Sequence, residues 1–209
     1  MTIAIIDYGM GNLKSVKKAF AAIGFEAEIT AEPAKVLKAD KVVLPGVGAF
    51  RDAIEELHRT GLAQATREVV QRGTPVLGIC LGMQLLFDKS YEYGEHAGLG
   101  LLPGKIIKMT TEDMKNEKGE SLKIPHMGWN NLELIKKAPL FTGLEQGSSV
   151  YFVHSYYLET EEDVVSAYTT YGKRIAVAAQ RDNLFATQFH PEKSGSIGLS
   201  ILKNFGGMK

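Results

Sequence analysis

Apolar and polar positions along the chain follow two rhythms. Up to Gly98, short unbroken apolar runs alternate with longer stretches in which apolar residues return every third or fourth position. The segments at 2–6, 26–30, 41–44 and 75–79 read as strands, those at 2–6 and 75–79 as apolar runs and the last as buried. The periodic stretches read as helices: one from Leu13 carrying Val16, Ala19, Phe20 and Ile23, a short piece at 33–38, a pair at 52–59 and 62–72, and one after residue 80 carrying Met83, Leu85, Leu86 and Phe87. Strands apolar throughout, separated by amphipathic helices, predict a parallel sheet covered on both faces. After Gly98 strand follows strand, at 105–109, 123–134, 149–159, 164–171, 175–181 and 184–189, before a closing helix at 196–205 with Ile197, Ile201, Leu202 and Phe205 on one face. The polar run at 110–121 predicts an exposed, mobile hairpin tip. The economical reading is one α/β domain over 1–209, its central sheet mostly parallel and flanked by helices, with a β-rich C-terminal half.

Composition narrows the classes of function. Lysine and arginine number 24 against 24 aspartates and glutamates, and no basic stripe is interleaved with aromatics, which argues against a nucleic-acid partner. The first residues lack a basic segment followed by a long apolar one, and no apolar run reaches membrane-spanning length, so a soluble cytoplasmic protein is expected. A single cysteine cannot close an internal disulfide and fits a reducing compartment. Two phosphate-binding patterns fail. Gly9 and Gly11 are followed by Lys14 where a dinucleotide fingerprint has its third glycine, and Gly104-Lys105 is followed by Ile106, with Leu99 in place of a leading glycine.

Candidate chemistry gathers where strand patterns end. The lone cysteine, Cys80, stands between the run at 75–79 and the helix after it, with Gly78 and Gly82 two residues to either side. This glycine-x-nucleophile-x-glycine spacing lets a backbone bend sharply enough to hold a nucleophile over the sheet edge, and a helix N-terminus just beyond favours thiolate over thiol. The alternative is a small buried hydrophobe. A second glycine-rich turn, Pro45-Gly46-Val47-Gly48, follows the neighbouring strand. Its amides suit an anion or a developing oxyanion, and an ordinary strand-to-helix loop has the same composition. Near the end, His190-Pro191-Glu192 follows an apolar run. Proline pushes His190 toward an extended conformation, so His190 and Glu192 project to one side, where a carboxylate can orient an imidazole that takes a proton through its other nitrogen. A surface turn would have that spacing too.

Together these segments resemble the class I (triad) glutamine amidotransferases, through Pro45-Gly46-Val47-Gly48, Gly78-Ile79-Cys80-Leu81-Gly82-Met83-Gln84 and His190-Pro191-Glu192. Within that class, IDYGMGN at 6–12, PHMGWN at 125–130, YFVHSYY at 151–157 and FHPEKS at 189–194 are similar to the glutaminase subunits that serve imidazole glycerol phosphate synthase in histidine biosynthesis. The resemblance runs the length of the chain and departs at no triad position.

The resemblance implies a class I amidotransferase fold, no cofactor and no metal, and hydrolysis of glutamine in which Cys80 attacks the carboxamide, His190 moves the proton and Glu192 orients His190. It implies an oxyanion hole from backbone N–H groups at Val47, Gly48 and Leu81, and glutamine held by Gly48, Gln84, Ser155 and Tyr156. Asn12, Trp129, Asn130, Tyr151 and Lys193 would face a partner, with core packing the alternative for Trp129 and Tyr151. That partner would be a (β/α)₈-barrel cyclase subunit, since the resemblance uses all 209 residues and leaves none for a synthase domain. Ammonia would reach it along a sealed channel, because free ammonia is mostly ammonium at neutral pH. His126 and His154 read as structural. Rival readings are a glutaminase subunit of a pyridoxal phosphate or anthranilate-type synthase, a free-standing γ-glutamyl hydrolase, and a catalytically silent binding subunit on the same fold.

Overall fold

In the computed structural model, which describes residues 1–208, the runs at 2–6, 41–44 and 75–79 become strands buried along their whole length, while the edge strand from 26–30 is buried only at its two ends. β1 (Ile3–Ile6) leads through α1 (Leu13–Ala22) to β2 (Ala27–Thr30), then through the single turn α2 (Pro33–Val36) to β3 (Lys41–Gly46). Two helices, α3 (Phe50–Arg59) and α4 (Leu62–Gln71), carry the chain to β4 (Val76–Cys80). Every residue of β1, β3 and β4 is buried, as strands covered on both faces require.

The next segment departs from expectation. α5 (Leu81–Leu85) is one turn long, and Phe87, expected on its continuation, instead opens β5 (Phe87–Ser90), followed by β6 (His96–Ala97) and β7 (Leu102–Lys108). Tertiary contact decides this: a Cβ at Gly98 would sit 2.1 Å from the Phe87 carbonyl oxygen, so the chain folds back against its own backbone there. β8 (His126–Asn131), β9 (Glu133–Leu134), β10 (Ser149–His154), β11 (Tyr156–Glu159), β12 (Val165–Tyr171), β13 (Lys173–Arg181) and β14 (Leu184–Thr187) follow, and α6 (Gly195–Gly207) closes the fold. The strands expected at 123–134 and 149–159 are thus each broken in two. The segment 110–121 is a small hairpin bridged at Lys115 and Ser121, its tip exposed as expected, and Met114, just before the bridge, is fully buried beside Gly172.

Twelve strands form one sheet in the order β2-β1-β3-β4-β14-β13-β11-β7-β5-β6, with β12 on β13 and β9 on β12. From β2 to β14 neighbours are parallel; β13 pairs antiparallel with β14, and β11 with β13 and β7. Ile6, Val42 and Leu44 point to a core under α2 to α5, while Ile3, Ile5, Val43 and Leu77 point to a second core under α1 and α6. β8 and β10 stand apart as a two-stranded antiparallel ribbon. Among the described residues no helix is long and apolar enough to cross a membrane. The C-terminal ends of β3, β4 and β14 lie side by side, with Gly46 opposite Cys80 and Thr187 opposite Ile79. Ligands of open α/β sheets bind off this edge.

Candidate active site

Cys80 is the last residue of β4, in a left-handed conformation (φ 55°, ψ −113°) that side chains rarely adopt, and 8% exposed. The two flanking glycines supply room for this bend. A Cβ at Gly82 would fall 1.8 Å from the Leu44 carbonyl oxygen, and one at Gly78 would fall 2.6 Å from Leu86 and 2.9 Å from the Gly82 oxygen. Strain therefore sits on the cysteine, and close packing of α5 on β3 and β4 sits on the glycines.

His190 follows β14 by three residues. Pro191–Lys193 form a 3₁₀ turn, so His190 and Glu192 meet across a tight turn where an extended segment was expected. His190 Nδ1 lies 2.8 Å from Glu192 Oε1, with both side chains 2% exposed. The backbone is fixed as well: His190 N–H donates to the Tyr151 carbonyl (3.0 Å), and the Ser194 hydroxyl donates to the His190 carbonyl (2.7 Å) while accepting the Tyr151 N–H (2.9 Å). His190 Nε2 is buried without a hydrogen bond of regular geometry. Its neighbour is the Cys80 sulfur. Burial disfavours the imidazolium, but the interactions with Cys80 and Glu192 outweigh it and push the His190 pKa up to about 9.

Cys80 and His190 border a cavity of about 600 Å³ that is also lined by Val47, Gly48, Leu81, Gln84, Ser155 and Tyr156. All the positions expected at the nucleophile, the oxyanion loop and the glutamine site are therefore brought to one cleft. Gly48 has φ 101°, and Val47 is 41% exposed. The start of that loop is held by Tyr8, whose hydroxyl donates to the Pro45 carbonyl at 2.9 Å. Burial first, and then the charge of Cys80, push the Tyr8 phenol well above its ordinary value, so it remains a donor.

Two residues of the cleft went unnoticed in the sequence. Gln188, fully buried, places Nε2 3.8 Å from Cys80 Sγ and accepts a hydrogen bond from Gln84 Nε2 at 3.0 Å. The parallel register predicts it, because residue 188 is the next rung opposite Cys80. Glu92, on the β5–β6 turn, accepts the Phe50 N–H at 2.7 Å at the start of α3 and lines the cavity. Only the unforeseen hairpin brings it there.

The residues expected to face a partner lie beside this cleft in part. Trp129 is 58% exposed and meets Tyr151 edge-on (ring centroids 6.1 Å apart), and Lys193 Nζ stands 6.0 Å from the Tyr151 ring. Asn12 is exposed at the start of α1, its side chain accepting the Ser15 hydroxyl at 2.9 Å. Asn130 is turned inward, donating to the Thr170 carbonyl at 2.9 Å. No group of three or more His, Cys, Asp or Glu side chains able to hold a metal ion occurs among the described residues.

The family model for glutamine amidotransferase class-I matches residues 4–207. Imidazole glycerol phosphate synthase subunit HisH of Syntrophotalea carbinolica is 54% identical over 207 residues, covering 99% of this chain and 100% of that protein. The protein of the same name from Geobacter sulfurreducens is 54% identical over 208 residues (99% of each), and that from Moorella thermoacetica 52% over 205 residues (98% and 93%). Among solved structures, one titled a glutamine amidotransferase superposes with a TM-score of 0.74 at 19% identity, covering 99% of both chains. PurLQS from Thermotoga maritima superposes with a TM-score of 0.73 at 20% identity, over 98% of this chain and 96% of that one.

Proposed function

The chain belongs to the class-I glutamine amidotransferase family, and from that membership we propose that it is the glutaminase subunit of an imidazole glycerol phosphate synthase, releasing ammonia from glutamine for a separate cyclase subunit in histidine biosynthesis. The observation that carries the reading is the convergence of Cys80 and His190 on one cavity, with Glu192 buried behind the imidazole and bonded to its Nδ1. The narrower assignment is supported by relatives of that name at 54% identity along nearly the whole chain.

In this reading the proton shared by Cys80 and His190 rests on the imidazole, as the raised His190 pKa requires, and Cys80 Sγ attacks the carboxamide carbon of glutamine. The developing oxyanion is met by backbone N–H groups at Val47, Gly48 and Leu81. His190, its pKa raised, is well suited to return the proton to the leaving nitrogen, and ammonia departs. The carbon–sulfur bond that remains is a glutamyl thioester; water, deprotonated by His190, adds to it, and the C–S bond breaks to give glutamate and the free thiol. Glu192 holds the imidazole in the Nδ1–H tautomer throughout. Gly48, Gln84, Ser155 and Tyr156 hold the amino-acid end, and the Glu92 carboxylate offers a partner for its ammonium group. Trp129, Tyr151, Lys193 and Asn12 form the surface toward the cyclase, a (β/α)₈ barrel that receives ammonia through a sealed path, while the amide of Asn130 is engaged within the fold.

The test is glutamate release by the chain alone and mixed with the cyclase subunit and its nucleotide substrate. A steep rise in the mixture is expected, as is its loss in Cys80→Ala. Equal rates with and without the cyclase would reject the partner, and substantial activity of the alanine variant would reject the nucleophile.

A further inference from the structure

Two buried histidines stand outside the chemistry described so far. His126 and His154 face each other across β8 and β10 and are 2% and 6% exposed. Their hydrogen bonds can be oriented from the acceptor end. His154 Nδ1 lies 2.8 Å from the Tyr156 carbonyl oxygen. A carbonyl only accepts, so Nδ1 carries the proton and Nε2 of the neutral ring is an acceptor. The atom 3.0 Å from that Nε2 is His126 Nδ1, which must therefore donate. His126 Nε2 is left as an acceptor and meets the Asn130 amide nitrogen at 3.3 Å. The sense of that amide is fixed independently, because its oxygen accepts the Asn131 N–H (2.8 Å) and its nitrogen donates to the Thr170 carbonyl (2.9 Å). From Asn130 to Tyr156 every donor points the same way.

The receiving end lies in the cavity. Met109 N–H donates to the Ser155 carbonyl in the β7–β11 ladder (2.9 Å), so by the alternation of antiparallel strands the next carbonyl, Tyr156, turns off the ladder. Gln84 Nε2 reaches that same oxygen at 3.5 Å. Ser155 is the residue at which the chain leaves the ribbon and enters the main sheet, and His154 clips this corner from one side. His126 is itself stacked on Phe152 and Tyr171, with centroids 4.7 Å and 4.0 Å away. A proton added to either ring would set two N–H groups against each other. Burial, joined at His154 by the charges of His126 and His190, lowers the two pKa values to about 4 and about 3.

We propose that His126 and His154 are positioning residues for glutamine: a one-way hydrogen-bond chain that fixes the Ser155–Tyr156 backbone and, through the shared Tyr156 carbonyl, the Gln84 side chain against the substrate's amino-acid end. The proposal rests on the glutaminase reading. Because the chain acts on groups that bind and not on the sulfur, its loss shows in KM.

Asparagine puts its amide nitrogen near the place of histidine Nδ1, and glutamine near that of Nε2. In the complex with the cyclase, His154→Asn keeps the donor to Tyr156 and is expected to hold KM for glutamine within about threefold, whereas His154→Gln loses it and raises KM about tenfold or more with kcat little changed. A space-filling role would rank them the other way, glutamine being nearer histidine in size. Equal KM values for the two variants overturn the proposal. Nitrogen NMR of the wild-type rings tests it without any variant: both must be Nδ1–H tautomers at pH 6, and an Nε2–H or charged ring overturns it. Wild-type complex that releases no glutamate would sink the glutaminase reading and this proposal together, while normal turnover with indifferent KM sinks the proposal alone.

Discussion

Tyr8 shows how one atom can constrain the site. Its hydroxyl is the donor for the Pro45 carbonyl, and Gly46 packs so tightly on it that a Cβ there would fall 2.3 Å from the oxygen. Tyr8→Phe leaves that carbonyl unpaired in a buried place, which should cost about 1–3 kcal/mol, read as a lower midpoint in denaturant at unchanged slope. An unshifted midpoint would mean that the carbonyl finds another donor. His190 gives a second prediction. With its pKa pushed up to about 9 in the free chain, the imidazolium needed to protonate the leaving nitrogen is lost only as pH rises through that value, so kcat/KM for glutamate release should hold through neutrality and fall on an alkaline limb near pH 9. A limb near the ordinary histidine value would contradict the pairing with Cys80 and Glu192. Spacing marks Cys80, His190 and Glu192 as candidates, because each sits next to a residue that shapes its own backbone, and the family resemblance is what gives them roles. Gln188 and Glu92 carry no such local mark: one is placed by strand register and the other by a hairpin.

Elements were legible where burial acts through a local pattern and not where pairing partners decide. The parallel strands β1, β3 and β4 announce themselves as apolar runs because both faces are covered. The break at Ser155 follows from β10 pairing with β8 while β11 enters the main sheet, a choice made by partners distant in sequence. The one-turn length of α5 is likewise set by what β5 finds beside β7. The β8–β10 ribbon has one further consequence. Its outer side leaves Met127 62% and Trp129 58% exposed, in a protein whose other large apolar side chains are mostly covered. Trp129→Ala should therefore leave the unfolding midpoint almost unchanged and weaken association with the cyclase subunit by about 10-fold or more, measured by titration calorimetry. Loss of stability with unaltered affinity would return Trp129 to a packing role.

At the scale of the whole molecule, the buried imidazoles tie stability to pH in a direction that can be worked out. His126 and His154 have pKa values of about 4 and about 3 in the folded chain, against an ordinary value of about 6.5. As pH falls below 6.5 the unfolded chain takes up a proton on each ring and the folded chain does not. The contribution is thus present above that pH and is lost toward pH 4. His190 has the opposite shift: its unfolded ring is still taking up a proton between pH 7 and about 6, so it offsets the loss by about 1 kcal/mol or less there and adds almost no slope below. Each buried neutral ring contributes about 1.4 kcal/mol per pH unit once the pH is well below 6.5, so the pair should lower stability by about 4 kcal/mol between pH 7 and pH 5. Urea unfolding at the two pH values measures this directly. The double variant His126→Asn/His154→Asn should flatten the dependence while the wild type keeps it. A wild-type protein equally stable at both values would show that the rings take up protons without unfolding, and with them would go the neutral, one-way chain that joins Asn130 to the Tyr156 carbonyl.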